Sequence, residues 1–265
     1  MNKASGNDSK GISFHYKFTL ANGDIKEFDL QLDSETLGLI TSDRESYPEW
    51  TRLSYNQCPC CPLRPPQQQC PIAANLVDVV ECFRDHVSYE EADIEVATEV
   101  RVYKQRVSLQ KGISSLVGIY MVTSGCPIMD KLRPMVKTHL PFATAEETMY
   151  RVFSMYLLAQ YFLRRSGRKP DWALKNLPEI YAEVHLVNKS FCKRLLDAHI
   201  KDGIGNAVAT LDCFAEFIEA PLRRNVLKKI EPLFLAYLKS RPQGRKNAPS
   251  TGRKRSGKRK RKGGS

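Results

Sequence analysis

Residues 12–32 run ISFHYKFTLANGDIKEFDLQL, two segments of alternating apolar and polar side chains on either side of Asn22-Gly23. That dipeptide strongly favours a tight turn between antiparallel strands, so a β-hairpin is predicted. Phe14, Tyr16, Phe18 and Leu20 share one face of the first strand. On the return strand Ile25 stands one position out of step with Phe28, Leu30 and Leu32, a slip that predicts a β-bulge near Lys26.

Further along, AANLVDVVECFRDH (73–86) places Leu76, Val79, Val80 and Phe83 at helical spacing. ADIEVATEVRVYKQRVSL (92–109) alternates through Ile94, Val96, Val100, Val102 and Val107, which predicts a second pair of strands or one long bent strand. Beyond Gln110 the periodicity is helical. Ile113, Leu116, Val117, Tyr120 and Met121 form one stripe, and Gly125 is placed to stop that helix. Thr144 and Glu147 have the spacing of a capping box in front of MYRVFSMYLLAQYFLRR. Further helices are predicted over roughly 174–198, 204–219 and 222–238. The chain is therefore expected to be α+β: a small antiparallel sheet in the N-terminal half, packed with a mostly α-helical C-terminal half. Its expected parts are a disordered 1–11, a β-rich 12–110 with a cysteine-rich loop at 56–71, a helical 111–239 continuous with it, and a disordered basic tail at 240–265.

The chain has 265 residues, 42% hydrophobic and 26% charged, which suits a soluble globular protein. Its formal charge of +12 is unevenly placed. Eleven of the 41 Lys and Arg lie in 241–265 with no acid among them, leaving 30 basic against 29 acidic residues in 1–240. The opening MNKASGNDSKGISF is polar and carries no apolar stretch, so a cytoplasmic protein with reduced thiols is expected. The charge-free run GISSLVGIYMVTSGCPIM (112–129) is too short and too polar to span a membrane and is read as a core helix with its exit turn.

The cysteines carry the chemistry. Cys82, Cys192 and Cys213 sit within helical patterns and are read as small buried hydrophobes. In YNQCPCCPLRPPQQQCPIA (55–73), by contrast, Cys58, Cys60, Cys61 and Cys70 share a loop with five prolines. Cys58, Cys61, Cys70 and the remote Cys126 are each followed by proline; Cys60 is not. A proline stiffens the turn beside a ligand and removes a competing donor. Cys58 and Cys61 also have the C-x2-C spacing that brings two thiolates to one metal or cluster. Pro71 and Pro127 are each placed to open a helix, which puts Cys70 and Cys126 at helix N-termini where an anionic sulfur is stabilised.

A single metal site of Cys58, Cys61, Cys70 and Cys126 is therefore expected, binding an iron–sulfur cluster or a zinc ion, with the recurring Cys-Pro favouring the cluster. Two other readings stay open. In one, Cys58-Pro59-Cys60-Cys61 is a thiol redox pair, although Pro62, Pro65 and Pro66 forbid the helix that normally follows such a motif. In the other, the cysteines only pack and the chain is a binding protein whose tail, GRKRSGKRKRKGG, contacts nucleic acid or an acidic partner without base readout. His139 lies in a loop after Cys126 and is read as a capping or solvated residue before a ligand. No Gly-rich phosphate loop and no G-x-S-x-G elbow occurs, so no reaction is implied.

The segments WTRLSYNQCPCCPL, CPIAANL, TSGCP, HLPFA and MYLLAQYF resemble an uncharacterised bacterial family that carries a domain of unknown function. The likeness covers about residues 12–238. It implies a bacterial cytoplasmic protein in which positions matching Cys58, Cys61, Cys70 and Cys126 recur, with Cys60 and the basic tail as additions.

Overall fold

In a computed structural model, residues 12–32 form the hairpin, with β1 (Ile12–Leu20) antiparallel to β2 (Ile25–Leu32). The structure describes residues 11–42, 44–200, 202–223 and 230–239. The segments expected to be disordered, 1–11 and 240–265, lie outside the described residues except for Gly11. The turn is a three-residue loop closed by Gly23 N–H donating to Leu20 O and Leu20 N–H donating to Asp24 O, both at 2.9 Å. Gly23 adopts φ +89°, a conformation a Cβ would strain.

The predicted bulge is absent. Pairing runs unbroken from Ile12–Leu32 to Thr19–Ile25. Lys26 takes the inward position at the strand end, and Ile25 is turned out and 52% exposed. An apolar residue at a strand end gains little from the core and tolerates the outer face, so its type is a poor guide to register there.

β3 (Glu91–Ala97) and β4 (Val102–Ser108) are two separate strands, and the sheet order is β2-β1-β3-β4, antiparallel throughout. Val100 and Val102 do not extend the buried stripe; both are exposed, Val100 in the turn and Val102 on the outer face. The inner face presents Phe14, Tyr16, Phe18 and Leu20 of β1 with Leu30, Leu32, Ile94 and Val96, all buried. The helical stretch after Cys70 is divided at Leu76 into α1 (Pro71–Asn75) and α2 (Val77–Phe83). Phe83 of α2 meets Phe18 edge to face with centroids 5.1 Å apart, and Phe28 lies 5.6 Å from Phe83.

α3 (Leu109–Thr123) covers the sheet and joins it to the helical half. It approaches so closely that a Cβ on Gly112 would stand 2.0 Å from Ile94 Cδ1 and 2.9 Å from Phe18 Cε1. Gly125 at φ +88° ends the helix in the left-handed conformation, as its position predicts. No described helix is long and apolar enough to cross a membrane.

The segment after Pro127 forms a 3-10 helix, Met129–Thr138, and contains Pro134, whose ring would clash with the carbonyl of Asp130 in an α-helix. α4 (Ala145–Arg165) starts at the predicted capping box: Thr144 Oγ1 accepts from Glu147 N–H, and the Glu147 carboxylate accepts from Thr144 N–H. α5 (Leu177–Asp197) begins later than expected, since Pro178 belongs to its first turn and Leu174 has φ +58°. α6 (Asp202–Arg223) packs along both α3 and α5. On α4, Leu158, Tyr161 and Phe162 remain exposed.

The sheet and these helices belong to one unit, Met1–Asn225; a second unit is Val226–Ser265. The helix expected over 222–238 is described only in part, as a 3-10 turn at Glu231–Phe234 and an α turn at Leu235–Leu238. The fold class is α+β, with a four-stranded antiparallel sheet followed by helices.

Candidate metal centre

The cysteine loop is closed at its base before any thiol is reached. Thr51, fully buried, donates its hydroxyl to Pro48 O at 2.6 Å, and the same oxygen lies 2.8 Å from the Gln69 side-chain amide. Arg52 and Gln69 form an antiparallel bridge, Leu53 N–H donates to Gln68 O, and Cys70 N–H donates to Thr51 O at 2.8 Å. Cys70 is thereby anchored as the N-cap of α1, with Pro71 opening the helix as its position predicts. Its sulfur makes no capping bond.

Within the loop, Cys61 N–H donates to Cys58 O at 3.0 Å, so Cys58-Pro59-Cys60-Cys61 is a hydrogen-bonded turn. Arg64 Nη1 holds the exit of that turn by donating to Cys61 O at 2.8 Å. Asn56 Nδ2 ties the entry to Asp197 Oδ2 at 2.9 Å, at the end of α5.

Cys126 comes from a different part of the chain. The left-handed Gly125 turns the backbone out of α3, and the Cys126 sulfur accepts the backbone N–H groups of Ile128 and Met129. The helix proper starts only at Met129, with Ile128 as its N-cap, so Cys126 stands ahead of the position expected for it. The amides of the intervening turn still point at its sulfur.

Cys70 and Cys61 stand within electrostatic reach of both Cys58 and Cys126. Burial pushes the Cys58 thiol up to about 12; nearby Cys70, Cys60 and Cys61 add to this, and a hydrogen bond with Ser190 opposes it. Burial likewise raises Cys126 to about 11, against its two amide bonds and with Cys70 and Cys61 adding to the rise. Cys58, Cys61 and Cys70 are half-buried and Cys126 is buried, all as free thiols. Among the described residues, no group of three or more His, Cys, Asp or Glu side chains is set to hold a metal ion as it stands.

α5 forms the wall behind the loop. The Cys60 thiol faces Glu183 O at 3.8 Å, Ser190 bonds Cys58, and Arg194 lies one turn further on. Arg194 is only 2% exposed, with Nη1 donating to Trp50 O at 2.5 Å and Arg52 O at 2.7 Å. Its guanidinium also stands 5.8 Å over the Tyr55 ring. Burial pulls it below its ordinary value, and the groups that push back are Cys70, Cys58, Tyr55 and Cys61. This buried cation thus has thiols and a phenol where a carboxylate would normally stand.

Arg194 is the residue that reading the sequence missed. The signal was a charged side chain within an apolar stripe: Val184, Val187, Phe191 and Leu195 are buried at helical spacing, and Arg194 falls among them. None of the three cysteines expected to be buried is so: Cys82 and Cys192 are half-buried and Cys213 is exposed. His139 is the C-cap of the 3-10 helix. Its Nε2 lies 2.7 Å from Tyr16 Oη and 3.3 Å from Ser115 Oγ.

No curated protein and no solved structure matches this chain. A family model does match it, over residues 14–235, which takes in the sheet, the cysteine loop, Cys126 and Arg194. The chain belongs to the family defined by that model, described as a domain of unknown function (DUF6901).

Proposed function

We propose that Cys58, Cys61, Cys70 and Cys126 together hold a metal centre, an iron–sulfur cluster in preference to zinc. The observation that carries this reading is Arg194, a buried guanidinium whose electrostatic neighbours are Cys70, Cys58, Cys61 and Tyr55. A buried cation is costly unless an opposite charge compensates it. Neutral thiols do not compensate it; a metal bound by four thiolates carries net negative charge and does. The two amide donors at the Cys126 sulfur suit the same anion, since hydrogen bonds to ligand sulfurs tune such centres. Cys-Pro at each ligand position favours the cluster over the ion.

A thiol redox role is less well supported. An attacking thiol needs a lowered pKa, whereas burial moves Cys58 and Cys60 upward. A role for the basic tail in nucleic-acid binding rests on its charge alone.

The test is anaerobic purification of the full chain, with metal and acid-labile sulfide analysis and a visible spectrum. Iron with sulfide and a broad visible band identifies a cluster; stoichiometric zinc without colour identifies a structural ion. Absence of bound metal, with no uptake on reconstitution with iron and sulfide or with zinc, overturns the proposal.

A further inference from the structure

The helices α3, α4, α5 and α6 and the 3-10 helix line a half-open cavity of about 370 Å³ to which none of the eight cysteines contributes. Its size falls in the range of small-molecule sites. Ile119, Val122, Leu132, Leu140 and Leu211 make its walls mainly apolar.

Two polar groups on this lining lack partners among the described residues. Asn188 of α5 is 1% exposed, and its Oδ1 accepts no hydrogen bond. Arg151 of α4 has a buried Nε with no acceptor, although its Nη2 donates to Met135 O at 3.0 Å. The acid nearest to Arg151 in sequence, Glu147, is committed to the capping box through Thr144 N–H and Oγ1 at 2.8 and 2.9 Å. Arg151 forms no ion pair among the described residues. Buried polar groups in native proteins are almost always satisfied, so an unmatched donor on α4 and an unmatched acceptor on α5, lining one cavity, describe the ligand that would match them.

We propose that this cavity binds an aliphatic carboxylic acid that also carries a hydroxyl or N–H donor along its chain. The carboxylate accepts from Arg151, near Tyr181 at one end of the α5 wall. The donor group bonds Asn188 Oδ1. Tyr181 and Asn188 stand seven positions apart on α5, about 10 Å at the helical rise, which sets the spacing of the two polar ends. The apolar walls take the chain between them.

The test uses the full chain and titration calorimetry with three probes: 10-hydroxydecanoate, decanoate and 1,10-decanediol. Saturable one-to-one binding is expected, strongest for the hydroxy acid. Arg151→Met should weaken both acids by about tenfold or more and leave the diol unchanged. Asn188→Leu should abolish the preference for the hydroxy acid over decanoate. Because it replaces a side chain with an unsatisfied buried Oδ1 by an apolar group of similar size, it should fold about as stably as the parent. If Arg151→Met does not fold, Arg151→Lys supplies the same comparison, with weaker acid binding expected. No saturable binding of any probe, or equal binding by parent and variants, overturns the proposal.

Discussion

Arg194 and Arg52 stand 142 positions apart in the chain, yet Nη1 of the first donates to the backbone carbonyl oxygen of the second at 2.7 Å. The same nitrogen donates to Trp50 O. One buried cation therefore pins the entrance of the cysteine loop to α5 and supplies positive charge beside the thiols. Arg194→Met keeps much of the side-chain volume and loses both bonds. With a charged donor worth about 1.5–3 kcal/mol per bond, the variant is expected to lose about 3 kcal/mol in urea unfolding. It should also hold less metal than the parent when both are reconstituted alike.

Substituting serine one position at a time separates ligands from bystanders. Cys58→Ser, Cys61→Ser, Cys70→Ser and Cys126→Ser should each lose most of the bound metal and unfold at lower denaturant, because binding free energy at such a centre is also folding free energy. Cys60→Ser and Cys213→Ser should retain it. Full metal content in any of the first four would remove that residue from the centre.

The thiol pKa values predict the pH dependence of loading. With Cys58 raised to about 12 and Cys126 to about 11, both are protonated at neutral pH in the metal-free protein. Binding must displace those protons, so affinity should fall as pH falls, and calorimetry in buffers of different ionisation enthalpy should record release of at least two protons. The metal-free fold follows the opposite trend. Thiols raised above their ordinary value of 9.0 contribute stability that is complete below that pH and is lost as pH rises through the folded values. Its urea midpoint should decline above pH 9.

His139 predicts sensitivity at the acid end. Burial, with Arg151 adding, lowers it from 6.5 to about 3, so it is held neutral between Tyr16 and Ser115. The unfolded chain takes up the proton first, and stability should fall as pH drops below 6.5 towards 3. His139→Gln preserves a hydrogen-bonding group without the titration and should flatten this slope between pH 7 and 4, measured by urea midpoints.

Gly112→Ala tests the contact between α3 and the sheet. Alanine favours the helix by about 1 kcal/mol, but its Cβ would overlap Ile94 Cδ1 at 2.0 Å. Overpacking of this kind costs about 1–3 kcal/mol, so a net loss of stability is expected despite the better helix former. An unchanged or raised melting temperature would show that the Ile94 and Phe18 side chains give way to the new Cβ.

The sequence by itself determined the elements whose signals are local. Asn22-Gly23 between alternating strands, the Thr144–Glu147 capping box and the stop at Gly125 all act within a few residues through backbone conformation and hydrogen bonding. Each is found in the structure. Local signals failed where an inward or outward choice depended on a distant surface, as with Ile25 and Lys26 at the end of β2 and with Val100 and Val102.

Only the tertiary structure decided what surrounds the thiols and what lines the cavity. Proline after Cys58, Cys61, Cys70 and Cys126 singled those residues out, but spacing along the chain says nothing about a partner that arrives from another helix. Arg194 reaches the cysteine loop because α5 packs behind it, and Arg151 and Asn188 share a cavity because α4 and α5 both flank it. A charge or amide within an apolar stripe is visible in the sequence; which groups face it depends on how the helices pack, and packing sums contacts between residues far apart in the chain.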